Sequence, residues 1–256
     1  MLHQSPAAYA LARARWRLQD VGHVLQWLAG VSVAGISKLL KRLGFSRKQA
    51  LRFIHSPDPD YHAKWRAILQ AFKEAVEDPG RVVLLFMDEL TYYRQPSVAP
   101  AYGARGAAQQ PKALEQPGYN TQTRIVAALD GVTGRVVYLQ RSHIDKPALS
   151  TFYAQVRAAY PQAEVIYLVE DNWPVHTLPD VRQAATAQRV TLLFLPTYAS
   201  WLNPIEKLWR WLKQDVLHLH RFAHDLEPLR LLVRTFLERF ADGSDALLRY
   251  VGLLPD

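Results

Sequence analysis

From Arg81 onward, short apolar runs alternate with longer segments of helical periodicity, and that alternation restricts the chain to a sheet covered by helices. Val82 to Phe86 is an unbroken apolar run, the pattern of a central strand covered on both faces. Arg124 to Leu129 and Val136 to Leu139 flank Asp130-Gly-Val-Thr-Gly134, which predicts a hairpin with a glycine-containing loop. A helix over Lys146 to Tyr160 leads to a strand at Val165 to Val169. A helix over Pro179 to Gln188 leads to a strand at Val190 to Leu195. A long helix is expected from Pro204, with Ile205, Leu208, Trp209, Leu212 and Val216 as its buried face. The order predicts a mixed α/β sheet with flanking helices. Between Tyr92 and Asn120 the Pro, Gly, Ala and Gln content predicts a long irregular loop.

The first third of the chain is different in kind. Residues 1–80 hold 12 Lys or Arg against 6 Asp or Glu, while the remaining 176 are near balance, so most of the net charge of +8 lies at the front. Between Arg13 and His55 nine basic residues face one acid, Asp20. Such a concentration favours a polyanionic partner. Trp16 to Ala29 is compatible with a helix, and after Gly30 the residue Ser32 can cap a second helix ending at Leu43-Gly44. Val33, Ile36, Leu39, Leu40 and Leu43 share one face of that helix, which leaves Lys38, Lys41 and Arg42 on the other. Two short helices about a tight turn, the second basic outside, read as a helix-turn-helix that contacts DNA through those three residues. An ordinary helical hairpin with solvated lysines is the alternative. Ser56-Pro-Asp-Pro-Asp60 breaks the chain. The expected layout is a helix-turn-helix module over residues 1–60, a linker helix over 61–80 and an α/β domain over 81–256.

The composition removes several chemistries. With no cysteine, disulfides, thiolate zinc sites and cysteine nucleophiles are absent. No apolar run approaches the ~18 residues of a membrane span, and Arg13, Arg15 and Arg17 interrupt the only stretch that resembles a leader. A protein of the cytoplasm is expected, without membrane partners.

Acidic residues stand at three element ends: Asp88-Glu89 after the first strand, Glu170-Asp171 after the fourth and Glu206 early in the last helix. Carboxyl ends of neighbouring strands are where open α/β sheets gather functional groups. Strand alternation sends Asp88 and Glu89 to opposite faces, so only one of them can address a shared site. Each acid also has a structural reading. Asp88 can begin a turn, Asp171 can cap a helix, and Glu206 suits the third helical position behind an Asn203 cap and Pro204.

The run Leu195-Pro-Thr-Tyr-Ala-Ser-Trp-Leu-Asn-Pro-Ile-Glu-Lys-Leu-Trp209 resembles the block around the last acid in DDE transposases of the mariner-like superfamily, in its bacterial insertion-sequence branch. Glu170-Asp-Asn-Trp-Pro-Val-His176 is similar to the second acidic block and Phe86-Met-Asp-Glu89 to the first, and 34 residues separate Asp171 from Glu206, as in that superfamily. The resemblance spans about residues 80–240. It implies a ribonuclease-H-like sheet on which Asp88, Asp171 and Glu206 bind Mg²⁺, for which Mn²⁺ can substitute. It also implies cutting of double-stranded DNA at element ends and joining of the freed 3′-hydroxyl to target DNA at TA, by a homodimer assembled on DNA. Relatives carry two helix-turn-helix units, and one is readable here. Three carboxylates suit such chemistry, since hard Mg²⁺ prefers oxygen and completes its shell with water and phosphate. A transposase-derived DNA-binding protein and a metal-dependent nuclease of the same fold are the other functions in view.

Around the triad, Asn172, His176 and Asn203 are candidates for supporting contacts, His176 equally as a core histidine. Lys207 and Lys213 beside Glu206 are candidates for phosphate contacts. Trp201 is expected to pack against the sheet. His218, His220 and His224 are expected at the surface or toward DNA, because 218 and 220 do not share a helix face.

Overall fold

A computed structural model describes residues 1–48 and 55–255. The chain forms two compact units, Met1–Phe53 and Ile54–Asp256.

In the first unit, helix α1 covers Leu18–Val24, a 3-10 turn follows at Gln26–Leu28, and helix α2 covers Val33–Arg42. The single helix expected from Trp16 to Ala29 is therefore broken at Leu25, whose extended backbone lets Leu28 turn in beside Val21 and Ile36. Those three are the buried apolar residues of this core. Asp20, the lone acid of the basic stretch, is buried: it accepts from the Arg17 backbone N–H at 2.8 Å and pairs with Arg13 at 2.8 Å. The bare Cα of Gly22 lets α1 close on α2, since a Cβ there would stand 2.9 Å from Ile36 Cδ1. Ser32 caps α2 through the Gly35 N–H, as its position predicted. Lys38, Lys41 and Arg42 are exposed, but so are Val33 and Leu43, so the apolar face is narrower than the periodicity indicated. Arg52, one of the nine basic residues between Arg13 and His55, lies outside the described residues.

The second unit opens on helix α3 (Tyr61–Glu77) and builds a five-stranded sheet in the order β3-β2-β1-β4-β5. Strands β1 (Val82–Tyr93), β2 (Gln122–Asp130) and β3 (Val136–Arg141) are antiparallel neighbours; β4 (Val165–Glu170) and β5 (Val190–Phe194) extend the sheet in parallel from β1. Helices α4 (Lys146–Ala159) and α5 (Pro179–Ala187) cover one face, with Leu149, Phe152 and Tyr153 packed on Val83, Leu85, Val126 and Ile166. On the other face lie α6 (Ile205–Leu212), α7 (Leu226–Glu238) and α8 (Asp245–Val251), centred on buried Trp209. Helix α3, expected as a linker, joins this face by setting Ile68, Ala71 and Ala75 against Leu84 and Phe86. The long helix expected from Pro204 gives way after Leu212 to a π-turn, Lys213–Leu217. In the β2–β3 loop Asp130 Oδ1 accepts the Val132 and Thr133 N–H groups, and Gly134 (φ 70°) passes so close to Ser244 that a side chain would strike its backbone. Among the described residues no helix is long and apolar enough to cross a membrane.

Candidate active site

The first strand does not end at Asp88. Its parallel pairing with β4 stops at Phe86↔Val169, while its antiparallel pairing with β2 continues to Tyr93↔Gln122. Asp88 thus stands at the carboxyl end of the parallel pair while its backbone stays in the sheet, a more rigid mounting than a turn. Its Oδ2 accepts from Trp209 Nε1–H at 2.9 Å. Burial pushes the Asp88 carboxyl up to about 7, and the charges of Glu206 and Glu89 add to the effect.

Asp171 follows β4, and its Oδ1 accepts the Trp173 N–H at 2.9 Å, an Asx turn rather than a helix cap. Asn172 donates to Leu195 O at 2.6 Å, tying the ends of β4 and β5 together. Glu206 is exposed on the first turn of α6. Asn203 does not cap that helix: it donates to Met87 O at 2.9 Å, fixing the helix start beside Asp88, and its buried Oδ1 has no partner. Asp88, Asp171 and Glu206 line one cavity of about 450 Å³, with Asn172 and Asn203 in its wall.

His176 is buried and joins both faces of this arrangement. Its Nε2 lies 3.0 Å from Glu89 Oε1 and its Nδ1 lies 3.2 Å from Asp171 Oδ1. Burial alone pulls an imidazole pKa down, but hydrogen bonds to Asp171 and Glu89 outweigh it and hold His176 up at about 11, as an imidazolium. The same hydrogen bond lowers Asp171. Glu170 is fully buried behind the pair, and burial pushes it up to about 8. Strand alternation does send Glu89 to the α4 face, yet the residue is engaged there: it anchors the histidine that meets Asp171. Sequence gave no sign of this contact, because the residues are 87 positions apart.

Beyond Glu206 a second cavity of about 450 Å³ is lined by Ser200, Trp201, Arg210, Lys213 and His218. Of the two lysines proposed for phosphate contact, Lys213 lies in this wall and Lys207 does not. Its Nζ donates to Val251 O at 2.7 Å at the end of α8, and Arg210 takes its place in the cavity wall. Trp201 is 49% exposed rather than packed on the sheet, and Tyr198 is 74% exposed with a left-handed φ of 56°. His220 is buried, with Nδ1 accepting the Phe222 N–H, contrary to its expected surface position. His218 meets Ser97 Oγ at 2.8 Å, and His224 is exposed.

The comparison with known families rests on most of this framework, since residues 46–230 match the model described as DDE superfamily endonuclease. The chain belongs to that family. Residues 12–69 match the winged helix-turn helix family. Among curated proteins this DDE endonuclease is 23% identical to the insertion element IS630 uncharacterized 39 kDa protein of Shigella sonnei, across 97% of this chain and 72% of that one. Among solved structures it is similar to the Mos1 transposase paired-end complex with left transposon end, at 17% identity and TM-score 0.64, covering 96% of this chain and 77% of the other. A Mos1 mariner paired-end complex with Mg gives 16% identity and TM-score 0.63, covering 93% and 74%. These likenesses show the fold of the DDE endonuclease, a ribonuclease-H-like sheet with a helical region ahead of it.

The donor set suits a hard divalent cation. Every side chain at the cavity's acidic end offers oxygen, the crowding of Asp88 by Glu206 and Glu89 favours an added positive charge, and Asn203 Oδ1 is an unused acceptor. Among the described residues no three His, Asp or Glu side chains converge tightly enough to hold one ion alone. That is compatible with Mg²⁺, which draws much of its octahedron from water and phosphate.

Proposed function

We propose that the chain is a transposase that cuts double-stranded DNA at the ends of a mobile element and joins the freed end to target DNA. The observation that carries this reading is the meeting of Asp88, Asp171 and Glu206 in one cavity at the carboxyl end of the parallel strands. In the first step water attacks a phosphodiester, the bond from phosphorus to the 3′ oxygen breaks, and a 3′-hydroxyl and a 5′-phosphate result. In the second step that hydroxyl attacks a target phosphodiester, forms a new ester and expels the target's 3′ oxygen. Neither step needs a protein nucleophile, which suits a chain without cysteine.

Asp88, Asp171 and Glu206 are the residues that would hold Mg²⁺ or Mn²⁺. When bound, the metal supplies Lewis-acid stabilisation to the attacking and leaving oxygens. The chain's own contribution is orientation. Trp209 fixes one oxygen of Asp88, the Glu89–His176 pair fixes Asp171, and Asn203 ties the start of α6, which carries Glu206, to β1 beside Asp88. Arg210 and Lys213 give the adjoining cavity a positive wall for the DNA strand. The exposed Lys38, Lys41 and Arg42 of α2 serve duplex binding. Solved neighbours are described as paired-end complexes and as bound with Mg or Mn, which supports two copies acting on two ends with a divalent metal.

Purified protein should nick end-containing duplex only with Mg²⁺ or Mn²⁺, and Asp88→Asn should lower nicking at least 10³-fold while duplex affinity stays within about twofold. Given a pre-cut end and a TA-containing plasmid, the wild type should yield joined molecules and Glu206→Gln should not. Undiminished cutting by Asp88→Asn would reject the triad, and cutting without joining would reduce the protein to a nuclease.

A further inference from the structure

Across β1, β2 and β3, at the same end of the sheet as the carboxylates, three residues lie in register: Thr91 opposite Arg124, and Arg124 opposite Arg141. Directly opposed residues of antiparallel strands point to one face with Cβ atoms about 5 Å apart. The face is that of α4, since Arg124 alternates with Ile125 of the α6 side and shares its side with Val126. Two arginines thus stand side by side on one face, where like charges directly opposed are destabilising.

Among the described residues neither arginine forms a salt bridge, and the buried Nε of Arg124 has no hydrogen-bond partner. Glu89 is the acid on the same face, two positions along in register, and its carboxylate is engaged by His176. Arg141 is exposed and Arg124, with its Nε covered, is half-buried, so a ligand meets Arg141 first and the accessible part of Arg124 beside it. Two planar forks beside a hydroxyl match the oxygens of a phosphate.

We propose that Thr91, Arg124 and Arg141 form a strip that grips the DNA backbone as it crosses the end of the sheet beyond Asp88. The strip rests on the transposase reading for its ligand and is separate from the cavity lined by Arg210 and Lys213. A backbone phosphate would neutralise the opposed pair, so the chain accepts a cost in its free state that binding removes.

Anisotropy titrations of the full chain with a fluorescent duplex, over a series of salt concentrations, test the strip. Arg124→Gln with Arg141→Gln should make the salt dependence shallower by about 1.8 and weaken affinity at physiological salt roughly 10- to 30-fold, as two phosphate contacts are lost. Arg141→Gln alone should not lower the melting temperature, because it relieves a repulsion. Unchanged affinity and slope in the double variant, with duplex binding by the wild type intact, would overturn the strip alone. So would a melting temperature several degrees lower in both single variants, which would make the arginines structural. Inorganic phosphate should displace duplex from the wild type beyond what chloride of matched ionic strength does, and should lose that advantage in the double variant; an equal advantage in both would overturn the strip. No duplex binding by the wild type would overturn the transposase reading together with the strip.

Discussion

Asp88 is placed where a carboxylate is least comfortable, and the discomfort has a measurable sign. Burial and two neighbouring acids raise it from an ordinary value of 3.8 to about 7, so the folded protein holds a proton there that the unfolded chain has released. The stability linked to this group is complete below the ordinary value and is lost as pH rises through about 7. The displacement corresponds to at most about 4 kcal/mol. With chelator present, Asp88→Asn should therefore melt above the wild type at about pH 8 and close to it near pH 4. Added Mg²⁺ should narrow the gap at high pH by stabilising the wild type. Equal melting temperatures at both pH values would mean that water reaches Asp88 more freely than its burial indicates. The same residue that loses cutting would thus gain stability, the exchange expected where a site is strained for function.

At the scale of elements, the breaker segment before α3 is a fastening. Asp58 Oδ2 accepts from the Thr197 N–H at 2.8 Å, from Thr197 Oγ1 at 3.2 Å and from Lys64 Nζ at 2.8 Å, while Ser56 Oγ donates to Thr197 O at 2.6 Å. These bonds hold the Asp58 carboxyl well below the ordinary range, the Lys64 ammonium contributing most. They pin the β5–α6 connection that carries Tyr198 to the cavity. Asp58→Ala should leave the Thr197 N–H without its carboxylate partner and lower the melting of the second unit by a few degrees. Scanning calorimetry checks it, and a shift within error would show the connection to be held by other contacts. The strands and helices from Val82 to Phe194 were readable from periodicity, as was the buried face of α6, because each is a local pattern repeated over several residues. The break at Leu25 and the π-turn after Leu212 were not, since tertiary packing rather than local preference decides where those helices stop. The three carboxylates were legible from their place after apolar runs and from the resemblance of their blocks. Their supports were not: the Trp209 contact to Asp88, the Glu89–His176 pair and the loss of Lys207 to α8 all join residues far apart in the chain.

On the scale of the molecule, each of the two units has its own core, and the cores differ greatly in size. The first rests on Val21, Leu28 and Ile36, with Trp27 and Leu43 left exposed, whereas the second fills both faces of a five-stranded sheet. Removing most of one side chain from so small a core is severe, with typical costs of about 2–5 kcal/mol. Ile36→Ala should unfold the first unit at temperatures where the second persists, giving a separate early transition in calorimetry and loss of end binding. A single transition shifted as a whole would show that the units melt together, and an unshifted one that Ile36 contributes little to the first core. The carboxylates of the second unit have a further property in time. Asp88 and Glu206 stand 118 positions apart, and at ~5–20 residues per second a ribosome needs roughly 6–24 s to pass from one to the other. During that interval the growing chain carries the basic first unit and β1 but lacks the third acid and the helix that mounts it. The order of synthesis therefore sets the order of assembly: the cavity at the end of the parallel strands is completed only once α6 has been made.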